Sequence, residues 1–239
     1  MLSRRKNGNA WRYIVSITPS LIGLILLIGL SLGYPSPTFY FQREISSLAF
    51  ITICVLGAVV AMYPSQMRNL FRRMPKRNEA VPGYLGHHPA CGLFETHVLR
   101  IRGKILCAGC AGLTIGAAVA TILTLYTLFY PIRVPSLIIL VVGVILTILG
   151  ILQHPLSREP RIHLALNVAF VTGVALACIG ANQLNGGLAL DVYSLALSLY
   201  LIIVRIDLSR NDHVSVCTSC FSPCEYSYAT NRNLSISDD

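Results

Sequence analysis

Six side chains able to bind a metal or exchange a disulfide fall within 24 residues: His87, His88, Cys91, His97, Cys107 and Cys110. Four of them read Cys91-x5-His97-x9-Cys107-x2-Cys110. Zinc takes four nitrogen and sulfur ligands in a tetrahedron, and a Cys-x-x-Cys turn offers two thiolates from one tight loop. Between His97 and Cys107 the stretch LRIRGK, with Gly103 at its turn, predicts a short hairpin that returns the chain to Cys107. His88 is a further candidate ligand. A second group, His213-x3-Cys217-x2-Cys220-x3-Cys224, lies in the polar C-terminal stretch. It reads either as a second site or as Cys217 and Cys220 joining Cys107 and Cys110 around one ion. An iron–sulfur cluster ranks below zinc, because the fourth cysteine of the bacterial ferredoxin run and its proline are missing. The same Cys107–Cys110 pair could instead cycle between dithiol and disulfide.

The elements that must hold these residues are apolar helices. The 239-residue chain is 54% hydrophobic and 12% charged, against about 25% charged in ordinary soluble domains, and its mean hydropathy is +0.64. A bilayer core needs about 20 apolar residues in a helix. Six stretches qualify: Tyr13–Gly33, Ser46–Tyr63, Gly109–Tyr130, Val134–Leu152, Ile162–Ala181 and Leu188–Val204. The first follows Arg4, Arg5 and Lys6 as a signal peptide would. Its apolar run is too long for one, however, and Gly33-Tyr34-Pro35 is no cleavage site, so it is expected to remain as a span with a bend at Pro19. Cys107 and Cys110 therefore open the third span, where the positive end of the helix dipole favours sulfur anions.

Sidedness follows from the basic residues. Of 19 lysines and arginines, all but Arg43 and Arg133 fall in segments on one side of the six-span arrangement. The excess of basic residues on the cytoplasmic side of membrane proteins places both termini and the long middle loop in the cytoplasm. The net charge of +9 then reads as contact with anionic lipid headgroups, above all at Arg68–Arg77, rather than as nucleic-acid binding. Six of the eight cysteines, all but Cys54 and Cys178, fall on this reducing side, where metal binding outranks disulfides. His154, His163, Arg205 and Asp207 are expected at the headgroup boundary, and Asp191 near water at the outer end. Asn167 is expected to hydrogen-bond between helices. Gly29/Gly33 and Gly112/Gly116 have the spacing that lets helices approach closely, inside one bundle before between chains.

The residues His88, Cys91, Phe94, Cys107, Cys110, Gly112 and Gly116 resemble the pattern of a family of small prokaryotic membrane proteins, domain of unknown function 2085. The likeness covers about 30 residues. It departs where His88 and Cys91 are not adjacent and where Ala111 replaces threonine. It implies a membrane location and the ligand set, and no activity.

The chain is thus expected to be an all-α membrane protein of six transmembrane helices with a small cytoplasmic Cys/His metal-binding module. Residues 1–63 carry the first tail and two spans, 64–108 the basic loop with the module, 109–206 the other four spans, and 207–239 the Cys-rich tail. The leading function is a structural zinc site presenting a surface to a cytoplasmic protein partner. A membrane thiol oxidoreductase and, behind it, a metal transporter are the rivals. No phosphate-binding glycine loop, Ser/His/Asp set or paired intramembrane carboxylates occur, so no catalytic residue is assigned.

Overall fold

In the computed structural model, the described residues are 2–33, 40–62, 84–85, 97–102, 104–153 and 159–218. Six helices account for most of them: α1 (Leu2–Ser31), α2 (Gln42–Met62), α3 (Ala108–Phe129), α4 (Ser136–Ile151), α5 (Pro160–Leu184) and α6 (Leu188–Thr218). Three short strands, β1 (Tyr84–Leu85), β2 (Val98–Ile101) and β3 (Lys104–Cys107), precede α3.

Five helices are long and apolar enough to cross a membrane, those containing Tyr13–Ser31, Gln42–Met62, Ala108–Phe129, Pro160–Leu184 and Leu188–Ser209. The fourth expected span is shorter. Val134 precedes a proline and is pushed out of the helical region. Pro135 is the N-cap, so α4 holds 16 residues, about 24 Å at 1.5 Å per residue against a hydrocarbon core of about 30 Å. In contrast, α6 overruns its expected end at Val204 and continues to Thr218. α1 passes through Pro19 without interruption.

The helices bury one stripe each and turn the rest outward. Leu24, Leu27, Leu140, Ile151, Phe170, Leu201 and Leu208 fill the core. Ile25 and Ile122, by contrast, are 66% and 65% exposed, with many similar side chains around the bundle. A surface this apolar suits lipid rather than water. Without a hydrophobic drive between helices in lipid, close backbone approach must hold the bundle. α5 is the hub, packed chiefly against α4 and α3, while α2 lies on α3 and α1 on α6.

Glycines set the tightest seams. Gly143 and Gly150 of α4 face α5, and Gly173 and Gly180 of α5 face α4; a Cβ on Gly173 would stand 2.6 Å from the Thr147 nitrogen, and one on Gly180 2.5 Å from the Leu140 nitrogen. Gly112 and Gly116 bring α3 against Leu164, Val168 and Val171 of α5, so this pair works inside the bundle. Gly29 faces nothing within 4 Å, and Gly33 meets only the end of its own helix. Spacing alone did not distinguish the two pairs.

Candidate functional site

The predicted hairpin forms. β2 and β3 are antiparallel, with Val98 opposite Cys107 and Ile101 opposite Lys104. The connecting loop is therefore two residues long, and Arg102 takes φ 50°, the positive φ that such tight, right-twisted turns use. β1 adds a parallel pair, Tyr84 with Ile105 and Leu85 with Leu106, giving sheet order β1-β3-β2. This third strand was not legible beforehand, since two residues carry no periodicity.

The hairpin delivers Cys107 directly to the bundle. Cys107 ends β3 and is the N-cap of α3, with Cys110 three residues further, in the first turn. Cys107 is 1% exposed and Cys110 half-buried, and neither is in a disulfide. The unpaired N–H groups of a helix start favour anionic ligands there. His97 precedes Val98 and so lies at the same end of the hairpin as Cys107. Its ring stacks on that of His163, with centroids 5.5 Å apart and planes at 25°. His163, expected at the headgroup boundary, is instead buried on α5.

Beneath the thiol turn lies a buried polar cluster. Asn167 Oδ1 accepts from Arg205 Nη2 at 2.8 Å and Nε at 3.2 Å, and its Nδ2 donates to the His163 carbonyl at 2.6 Å. Gln153 at the end of α4 meets both neighbours. Its side-chain oxygen accepts from Asn167 Nδ2 at 3.0 Å in one amide orientation and from Arg205 Nε at 2.9 Å in the other. All three side chains are withdrawn from solvent. A Cβ on Gly109 would lie 3.8 Å from Cys107 Sγ and 4.0 Å from Asn167 Nδ2, so the thiol and the cluster flank the same backbone. Asn167 is the helix–helix hydrogen bonder expected of it. Arg205 is not an exposed boundary charge, because α6 continues past it and folds its side chain inward. The sequence signal was a lone arginine ending an apolar run, which reads equally well as a snorkelling residue.

The opposite end carries its own polar lock. Asp191, expected near water, is 6% exposed. It accepts from Gln42 Nε2 at 2.7 Å and Asn182 Nδ2 at 2.6 Å. Gln42 also donates to the Gly186 carbonyl, Asn185 to that of Leu30, and Arg43 to that of Thr127. These bonds join the ends of α1, α2, α3, α5 and α6.

Of the expected ligands, the structure places His97, Cys107 and Cys110 toward one end of the bundle, but not as a set converging on one point. Among the described residues no three Cys, His, Asp or Glu side chains converge as a metal-holding group. His88, Cys91, Cys220 and Cys224 lie outside the described residues, and for His213 and Cys217 only the helical backbone is described. The donor types on hand, one imidazole and two thiols, match zinc's preference for nitrogen and sulfur. No family model, no curated protein and no solved structure matches the chain, so the chemistry of this site must be argued from its own residues.

Proposed function

We propose that the chain is a six-span membrane protein with a structural zinc site on its cytoplasmic face. In this reading His97, Cys107 and Cys110 form one part of the site, and Cys91 or thiols of the C-terminal group complete it. The observation that supports it most is the hairpin register: with Val98 opposite Cys107, the imidazole of His97 and the first thiol share one end of a two-stranded element. The second thiol follows within a helical turn. Bound zinc would tie the hairpin to the start of α3 and hold a rigid surface toward a protein partner.

The test is elemental analysis of the full chain, purified under reducing conditions. About one zinc per chain is expected, falling to background in Cys107→Ser/Cys110→Ser; loss in Cys91→Ser or in Cys217→Ser/Cys220→Ser shows which group completes the site. Absence of zinc from the unmodified chain after growth with added zinc rejects the proposal. A second reading draws on the same turn: two thiols at a helix N-terminus, one buried and one half-buried, suit a thiol oxidoreductase. Its signature is a reversible Cys107–Cys110 disulfide, trapped with a maleimide after chelation, in a chain that holds no tight metal.

A further inference from the structure

A partly open cavity of about 450 Å³ lies between α2, α3, α5 and α6. That is within the roughly 300–1,000 Å³ of ordinary small-molecule sites. Its ends differ chemically. At the Cys107 end the wall holds Arg205, Ser209 and Cys110; at the far end stand Phe50, Val174 and Ser198. From Ser209 to Ser198 the cavity follows about three turns of α6, roughly 17 Å at 1.5 Å per residue. This is about half of a hydrocarbon core of about 30 Å, the depth of one leaflet. Between the ends the wall is almost wholly apolar, including Ile53, Leu113, Phe170 and Ile202. The two hydrogen bonds to Asn167 Oδ1, with Gln153 also against the guanidinium, hold Arg205 at the wall before any ligand arrives. A guanidinium matches a phosphate's oxygens in pairs and attracts anions strongly where water is excluded.

We propose that this cavity is a binding site for an anionic phospholipid of the leaflet on the Cys107 side, with the phosphate at Arg205 and one acyl chain lying along α2 and α6 to Phe50. A cation at one end, an apolar wall of one leaflet's depth and a partly open cavity fit that occupant. A soluble phosphate would leave the apolar length unused.

The full chain in neutral detergent is incubated with phosphatidylglycerol or with diacylglycerol of the same chains, and retained lipid is counted by native mass spectrometry. At least tenfold greater retention of phosphatidylglycerol is expected. Gly57 lines the cavity, and a Cβ placed there meets nothing within 4 Å. Gly57→Phe therefore starts its side chain in open space at the cavity and should cut retention of both lipids at least fivefold. Arg205→Gln should abolish the preference for phosphatidylglycerol, and Arg205→Lys should keep part of it. Should Arg205→Gln fail to fold, Gly57→Phe and the lipid comparison decide alone. Equal retention of the two lipids, unchanged retention in Gly57→Phe, or displacement of the lipid by millimolar glycerol 3-phosphate would overturn the proposal.

Discussion

Asn167 couples the thiol turn to the bundle. Its oxygen takes two N–H groups of Arg205, its nitrogen reaches the His163 carbonyl, and it lies on the other side of the Gly109 backbone from Cys107. Removing a partner so that a buried polar group loses its bond costs about 1–3 kcal/mol. Asn167→Ala is expected to lower stability by about that much, read from thermal unfolding in detergent. The same variant should speed maleimide labelling of Cys107, since loosening the cluster beside Gly109 opens the neighbourhood of that buried thiol. Unchanged labelling with lowered stability would confine Asn167 to a packing role.

At the level of elements, the seams between α4 and α5 depend on absent side chains. A methyl group at Gly143 would collide with the Ala177 backbone, and backbone cannot rotate away as a side chain can. Gly143→Ala is expected to cost about 1–3 kcal/mol, the usual scale of overpacking. Gly29→Ala, with nothing within 4 Å, should stay within about 0.5 kcal/mol of the unmodified chain. Thermal midpoints of the two variants in the same detergent give the comparison, and equal losses would contradict the helix seams described above. The hairpin obeys a similar local rule. Its two-residue loop and the positive φ of Arg102 carry the chain from His97 back to Cys107 with no slack in register.

For the whole molecule, α4 decides the topology. Six crossings return both termini to one side, whereas five would separate them. The 16-residue α4 holds no charge, and its hydroxyl at Thr147 bonds its own helix at the Gly143 carbonyl. A bilayer thins locally around a short helix at a modest cost per ångström, and on that argument the six-span proposal has α4 cross. Tags fused to each terminus are expected to be shielded from outside reagents in intact cells and to react together after permeabilisation. Reaction of one tag alone in intact cells would reduce the count to five. The polar lock around Asp191 would then still close the opposite end, because its bonds join the other five helices.

The fold class was legible because lipid imposes a one-dimensional rule: about 20 apolar residues per crossing. That rule located all six helices, five of them with starts within four residues, while α1 begins at Leu2, eleven residues before the expected Tyr13; the LRIRGK stretch announced the hairpin. Boundaries failed where local geometry overrode composition, at Pro135 and in the overrun of α6. The site was half legible. The hairpin expected from LRIRGK forms and sets His97 and Cys107 at one end, whereas the ligand set read from the cysteine and histidine spacing does not converge among the described residues. The sequence alone determined which segments are apolar and which residues could ligate metal, because both are properties of residue type and spacing. Only the tertiary structure decided that Arg205 and Asp191 turn inward, that Gln153 and Asn167 meet near the thiol turn, and that α2, α3, α5 and α6 leave a cavity between them. Those outcomes depend on which helix faces meet, and pairing between distant segments is not written in the periodicity of any one of them.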